Sequence, residues 1–523
     1  MTARNLARAG VVVVAAYFGS RVLGWVRLVV VGNLFGAGSE LDAYFSAFRI
    51  PDLIYQLVAA GAISSALVPV LAGLLHDGEN ERADKVISTV INTMLLVLVA
   101  FSITMAVFAP QIVPFLVPGF DSVTTELTIR LTRIMLIAPI LLALGAVAGS
   151  VLNMHGRFAA AAIAPMLYNV AIIGCAIFLS PMLGIDSLAV GVVLGAFLHI
   201  AVQLRPLRQW LHYDLVLDLT DKAARRILNL LIPRALGLGA GQIVFIVNTT
   251  LATVVAVGAV TMYNIAFTIF VIPLGIIGLP LGVLMLPAMS RAMAAGELRS
   301  FGSLLVGSVR LLVFVSLFLS IVGMVISRQV VGLLFGYGAF DPASLDLTAQ
   351  TLAVLLASMT ADALCLMLAR AFFTAQDTKT PLVGVLLCVV VSVTVSIATV
   401  SFLGLLGLAL GVVLGDWSEA LFLIIMLRRK LPTLELFGLL RVIPVLALGG
   451  VIAGGAAYVV VHVIETYVGT DPGKLALLFE IVAASTVGGA LYLLYARLVR
   501  LPELPRAFGL VASLFHRDGS DAN

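Results

Sequence analysis

Apolar residues occur along this chain in long blocks, cut by short polar segments. Fourteen blocks are long enough to be read as membrane helices: 8–34, 45–74, 87–109, 127–151, 158–181, 187–204, 226–256, 259–288, 303–326, 347–374, 382–403, 405–427, 440–463 and 475–498. A helix needs about 20 apolar residues to cross the hydrocarbon. The second and seventh blocks carry interruptions, Pro51 in one and Pro233–Arg234 in the other. The pattern predicts an all-α polytopic membrane protein with about 14 transmembrane helices.

The polar segments differ by side. Those after even-numbered blocks hold Arg82, Lys85, Arg157, Arg205, Arg208, Lys222, Arg225, Arg226, Arg291, Arg299, Lys379, Arg428, Arg429, Lys430 and Arg441. Alternate segments hold Arg328 and Lys474, and Arg130 and Arg133 at the head of the fourth block, among mostly acidic residues. Cytoplasmic loops retain Lys and Arg, so both termini are predicted to be cytoplasmic.

The blocks group into a first set of six helices over 1–204, a connector over 205–225, a second set over 226–430, helices 13 and 14 within 431–500, and a cytoplasmic tail over 501–523. In the connector, Trp210, Leu211, Tyr213, Leu215, Val216 and Leu217 interleave with Asp214 and Asp218. That stretch reads equally as an interfacial segment or as an ordinary polar loop.

The two sets of six repeat each other. Ser20-Arg21-Val22-Leu23-Gly24 returns as Pro233-Arg234-Ala235-Leu236-Gly237, Pro69 as Pro287 and Pro165 as Pro381. The separations of 213, 218 and 216 positions agree within a few residues. An even number of crossings per set gives both the same orientation, which is the parallel repeat of two-bundle transporters. The last two helices lie outside it.

Composition narrows the chemistry. The 523 residues are 61% hydrophobic and 11% charged, with mean hydropathy +1.15, whereas soluble domains carry about 25% charged residues. The net charge of +4 is spread over short loops, so no nucleic-acid partner is expected. Cys175, Cys365 and Cys388 lie in apolar runs without CxxC spacing and read as small core residues. The chain has neither a paired-histidine metal motif nor a phosphate-cradling glycine loop, and no nucleophile constellation is evident. Neither enzymatic activity nor a cofactor is expected.

What remains is intramembrane charge. An arginine at the centre of a bilayer helix costs roughly 2.5–3.5 kcal/mol on insertion scales, and it usually faces a protein interior or a watery cavity. The first block holds two, Arg21 and Arg27, and the second holds Arg49 and Asp52 around Pro51, just after Asp42. Guanidinium forks bind phosphate oxygens in bidentate fashion, which suits a diphosphate. The plain alternative is internal pairing, Arg49 with Asp52 or Arg21 with Asp42. Arg234 lies near a membrane face and reads as snorkelling, with a second-half cavity role as the alternative. Asp362, Asp416 and Glu419 are candidates for ion coupling or for hydrogen bonds between helices.

Longer motifs carry a resemblance. Ser20-Arg21-Val22-Leu23-Gly24-Trp25-Val26-Arg27, Phe35-Gly36-Ala37-Gly38, Asp42-Ala43-Tyr44-Phe45, Phe48-Arg49-Ile50-Pro51-Asp52-Leu53 and Ala66-Leu67-Val68-Pro69 are joined by Leu334-Phe335-Gly336-Tyr337-Gly338 and Phe372-Phe373-Thr374-Ala375-Gln376-Asp377-Thr378-Lys379-Thr380-Pro381. Together they resemble the MurJ (MviN) lipid II flippases of the multidrug/oligosaccharidyl-lipid/polysaccharide exporter superfamily. The resemblance implies a bacterial inner-membrane protein of peptidoglycan synthesis. Its partners would be lipid II (undecaprenyl-diphosphate-linked disaccharide pentapeptide), membrane lipids and cell-wall synthesis machinery. It also implies that Arg21, Arg27 and Arg49, with Asp42, belong to the substrate site, in a cycle of alternating access.

The chain departs from the family pattern at several places. Leu28 stands where an acid often follows the second arginine, and Tyr55-Gln56 and Ala59-Ala60-Gly61 replace a double arginine and Ala-Glu-Gly. Thr268 occupies the place of an eighth-helix arginine. These departures keep two other readings open: an exporter of another polyprenyl-linked glycan or small molecule, and a non-transporting scaffold.

Overall fold

The computed structural model describes residues 3–58, 62–431, 437–468 and 473–506. Every regular element among them is a helix. The chain divides into two compact units, Met1–Thr261 with Gly338–Asp341, and Met262–Tyr337 with Pro342–Asn523.

The first unit opens with α1 (Ala3–Phe35). The second predicted span is not a single rod. It falls on α2 (Ser39–Ala47), α3 (Arg49–Val58) and α4 (Ala62–His76). The break at Phe48 follows from Pro51, which has no N–H to give to the carbonyl four residues earlier. That carbonyl, Ala47 O, instead meets the Thr132 hydroxyl in a long contact of 3.5 Å. Then come α5 (Asn80–Leu116), α6 (Ser122–Met135), α7 (Ala138–Met154), α8 (Phe158–Leu183), α9 (Asp186–Leu207) and α10 (Lys222–Thr253). Two apolar cores hold the unit. Leu67, Leu71, Val90, Leu98, Val151 and Ile227 join α4, α5, α7 and α10. Val31, Leu41, Leu131, Met135, Ile172 and Leu188 join α1, α2, α6, α8 and α9.

The connector between α9 and α10 has no regular secondary structure, and it is clamped to α5. The Asn92 side chain donates to Val216 O (2.7 Å), and the N–H groups of Asp214 and Asp218 donate to the hydroxyls of Ser88 (3.1 Å) and Thr89 (3.2 Å).

The second unit carries most of α11 (Ala259–Ala294), then α12 (Leu298–Val325), α13 (Ser327–Phe335), α14 (Pro342–Leu356), α15 (Met359–Thr374), α16 (Lys379–Leu403), α17 (Leu405–Lys430), α18 (Phe437–Val468) and α19 (Lys474–Leu498). Lipid gives helices no hydrophobic drive to associate, so close packing of small residues takes over. Between α16 and α17, a Cβ on Gly411 would lie 2.7 Å from Ser392 O, and one on Gly415 would lie 2.9 Å from Cys388 O. The two helices beyond the repeat pack on α12 and on each other. Tyr492 donates its hydroxyl to Phe314 O (2.8 Å) and Tyr495 to Val445 O (2.9 Å).

Ten helical stretches among the described residues are long and apolar enough to cross a membrane, or eleven if α14 and α15, bent by 41°, make one crossing. The remaining three of the fourteen predicted spans fall on α2–α4, α10 and α11. The protein is a multi-pass membrane protein.

Candidate functional site

The site is built on α1, α2, α3 and α8 of the first unit. Arg21 is exposed, and its Nη2 donates to the Tyr17 hydroxyl at 2.9 Å, one turn back on the same helix. Its guanidinium carbon lies 5.3 Å from the Tyr17 ring centre. Arg27 is half-buried and stands 6.0 Å from the ring centre of Tyr168 on α8. Tyr44, Tyr55 and Asp52 are close enough to act electrostatically on Tyr168 together with Arg27. Three phenols, one carboxylate and one guanidinium thus converge within a single unit. Phenolic O–H groups and guanidinium N–H groups both donate to anionic oxygens.

Arg49 is buried, with its guanidinium carbon 3.8 Å from the ring centre of Phe245 on α10. The aromatic face offsets part of the cost of burying the cation.

Among the described residues, no ion pair includes Arg21 or Arg27. Pairing of Arg21 with Asp42 does not occur. The Asp42 side chain is fully buried, and both its oxygens are taken. One accepts from Gly258 N–H (2.7 Å), the other from the N–H and the hydroxyl of Thr261 (both 2.7 Å). Asp42 therefore braces the turn that opens α11 and leaves no oxygen for a ligand, which corrects its expected place on the substrate side. The reason is capping: the first N–H groups of a helix lack intrahelical partners, and a carboxylate satisfies them.

This brace belongs to a set of interlocked turns. Gly258 has φ +85°, and a Cβ there would sit 2.4 Å from Ala37 O. Gly338 has φ +83°, and a Cβ there would sit 2.3 Å from Asn33 O. Its neighbour Ala339 donates its N–H to the same carbonyl at 2.9 Å. Only glycine takes this conformation with backbone so near. The Phe35-Gly36-Ala37-Gly38 and Gly336-Tyr337-Gly338 motifs are therefore turn chemistry.

Seating of α1 on α8 explains how the arginines are presented. Asn169 on α8 donates to Ser20 O (3.4 Å) and to Pro165 O (3.1 Å). Gly19 admits the Met166 side chain, whose Cε would lie 2.9 Å from an added Cβ. One face of α1 is consumed by α8, while Tyr17, Phe18, Val22, Trp25 and Val26 stay exposed around Arg21.

In the second unit, Asp416 on α17 ties helices together. Its carboxylate accepts from the Ser358 hydroxyl, just before α15, and from Cys388 on α16 (3.4 Å). Asp362 and Glu419 lie close enough to feel each other's charge. Cys175, Cys365 and Cys388 are free thiols. Arg234 lies on α10, and its side chain is outside the described residues. Ala59, Ala60 and Gly61 are outside them as well.

Sequence reasoning missed two residues. Tyr168 sits in the fifth apolar block after Pro165, and a polar aromatic there was the available signal. Arg370 sits near the end of α15 inside the tenth block. Its guanidinium lies over Gly282 of α11, where a Cβ would fall 1.6 Å from Nη1, and that nitrogen is buried without a hydrogen-bond partner. Thr268, on the same α11, is half-buried.

Comparison with known proteins agrees with this architecture. The model of the family described as "Lipid II flippase MurJ" matches residues 31–477. A lipid II flippase MurJ of Burkholderia cenocepacia is 28% identical over 438 residues, covering 82% of this chain and 84% of that protein. A probable lipid II flippase MurJ of Rhizobium meliloti is 29% identical, with 85% of each chain covered. Among solved structures, a MurJ in an inward closed conformation superposes with TM-score 0.78 at 22% identity, covering 94% of this chain and 98% of that one. An inward-facing MATE multidrug transporter gives TM-score 0.68 at 17% identity, covering 79% of this chain and 95% of that one. These likenesses establish the fold, and the family model, matching most of the chain, establishes the kinship: the protein belongs to the MurJ lipid II flippase family.

Proposed function

We propose that this protein is a lipid II flippase. It carries the undecaprenyl-diphosphate-linked disaccharide pentapeptide from the inner to the outer leaflet of the bacterial inner membrane, by alternating access, with both termini cytoplasmic. Family membership supports the substrate class. The observation that carries the mechanism is the pair Arg21 and Arg27, outside every ion pair among the described residues and surrounded by phenols. A diphosphate crossing hydrocarbon unaided suffers a large desolvation cost. Charge-assisted hydrogen bonds from two guanidiniums replace much of its hydration, while the polyprenyl chain remains in lipid. Arg49, over Phe245, adds a third positive charge to the same unit. Cell-wall synthesis enzymes that consume the flipped product are the natural partners.

The test is reconstituted flipping of lipid II in proteoliposomes, with binding of purified lipid II measured on the same samples. Arg21→Ala and Arg27→Ala should each lose binding and flipping together. Full activity in both variants would remove the arginines from the mechanism.

A second reading, export of another polyprenyl-diphosphate glycan, draws on Leu28 and Thr268, where the family pattern has charge. Competition between lipid II and undecaprenyl phosphate in the same assay separates headgroup recognition from recognition of the lipid phosphate.

A further inference from the structure

The connector between α9 and α10 has a feature that transport does not use. Tyr213, Leu215, Leu217 and Leu219 follow one another along an irregular segment, in which Val216 N–H donates to Asp214 O (2.8 Å) and a turn falls at Leu219–Thr220. Among the described residues Leu215 is 91% exposed, and Tyr213, Leu217 and Leu219 are 48%, 52% and 45% exposed. The backbone is held meanwhile by Ser88, Thr89 and Asn92 of α5.

Depth follows from α5. Its 37 residues span about 55 Å, against about 30 Å of hydrocarbon. The last charged residue before the apolar block 87–109 is Lys85, and Ser88, Thr89 and Asn92 lie within the first six residues of that block, towards the polar edge of the bilayer. The row of leucines clamped to them lies at the boundary between headgroups and acyl chains.

Beside this row stand Lys222, Arg225 and Arg226 on the first two turns of α10. With Asn229 and Leu230 they line an open cleft of about 330 Å³. Two of the nearby acids are already engaged, while Asp214 is exposed and its carboxylate accepts no bond among the described residues. Asp221 pairs with Arg82 (2.9 Å) and caps α10, and Asp218 accepts from the N–H (2.9 Å) and hydroxyl of Thr220. Arg225 donates to Leu219 O at 3.1 Å, which joins the cleft to the leucine row. No ion pair among the described residues includes Lys222, Arg225 or Arg226.

We propose that residues 213–226 form an interfacial anchor that binds an anionic phospholipid, with Tyr213, Leu215, Leu217 and Leu219 set among the acyl chains and Lys222, Arg225 and Arg226 holding the phosphate headgroup. Exposed leucines next to a basic cluster supply the two contributions that interfacial binding needs, apolar burial and attraction to anionic lipid. The lipid would fix the connector at the membrane surface and steady the start of α10. The proposal is independent of the flippase reading.

The experiment uses the full chain in detergent, with thermal unfolding followed as phosphatidylglycerol, phosphatidylcholine or inorganic diphosphate is added. Phosphatidylglycerol should raise the Tm, and phosphatidylcholine should not. Each charge removed among K222Q, R225Q and R226Q should weaken the phosphatidylglycerol response by about fivefold. L215S/L217S should also weaken it, whereas R291Q/R299Q, at the end of α11 and the start of α12, should leave it intact. Where the combination K222Q/R225Q/R226Q fails to fold by circular dichroism, the single R226Q serves. Equal responses to the two phospholipids, an unaltered response in the basic variants, or full replacement of phosphatidylglycerol by diphosphate would each overturn the proposal.

Discussion

The carboxylate of Asp42 and the backbone of Thr261, 219 positions apart, are joined by a 2.7 Å hydrogen bond, and the Thr261 hydroxyl adds a second of the same length to the same oxygen. A buried N–H that loses its acceptor costs about 1–3 kcal/mol. Asp42→Ala should therefore lower the Tm of the purified protein clearly, while Asp42→Asn, which keeps one acceptor oxygen, should lower it less. Equal Tm values for wild type and the alanine variant would show that the brace contributes nothing.

The turns around Asp42 make a steric prediction. Gly258→Val puts a branched side chain at φ +85°, with its Cβ 2.4 Å from Ala37 O. The backbone must move, and residues forced into such conformations cost about 1–3 kcal/mol each before the clash is counted. The variant should accumulate poorly in the membrane, as judged by immunoblot. Gly78→Ala is the contrast, since its φ is also positive (+77°) but nothing lies within 4 Å. It carries the backbone strain without the clash, so it should accumulate less than wild type but well above Gly258→Val.

Arg27 and Tyr168 form a cation–aromatic pair at 6.0 Å. Tyr168→Phe keeps the ring and removes the hydroxyl donor. If the phenol binds diphosphate oxygen, lipid II affinity should fall by roughly five- to tenfold, the equivalent of a hydrogen bond of about 1–1.5 kcal/mol, with no change in Tm. Tyr168→Leu should reduce affinity further, because it also removes the ring. Isothermal titration with purified lipid II distinguishes the two.

Arg370 over Gly282 predicts an asymmetry between two substitutions. Gly282→Leu must displace the guanidinium, whereas Arg370→Ala merely removes it. Loss of flipping in both variants with retained folding would assign Arg370 a functional position in the second unit. Loss of stability in Gly282→Leu alone would confine the pair to packing.

Asp377, in the loop between α15 and α16, accepts from Lys430 Nζ, from the Thr380 hydroxyl (2.6 Å) and from the Thr380 N–H (3.0 Å). Burial alone would raise its pKa, but these bonds outweigh it and hold the carboxyl below its ordinary range. A carboxyl with a depressed folded-state pKa stabilises the protein above its unfolded pKa, about 3.9, and the gain fades as pH falls towards the folded value. Asp377→Asn should therefore lower the Tm at pH 7, and the gap to wild type should close below about pH 4. A gap independent of pH would mean that the carboxylate charge plays no part.

Much of this protein was legible from its sequence because transfer into lipid is a local, additive property. Runs of apolar side chains mark helices wherever the chain later places them, and Pro51 announces a break at Phe48 because the missing N–H is a covalent fact. The arginines of α1 could be singled out on cost alone. Partnerships are another matter, for they depend on which distant groups folding brings within 3 Å. Asp42 looked like a ligand group from its neighbours in sequence, and only the turn at Gly258 shows that its oxygens are already used. Tyr168 and Arg370 were hidden for the same reason, since an apolar block reveals nothing about which residue across the bundle faces it. The sequence by itself determined that the chain is helical, crosses the membrane many times and keeps cations where lipid penalises them. The tertiary structure decided which of those charges are neutralised and which stay available, because hydrogen bonding and steric fit act between atoms, whatever their separation along the chain.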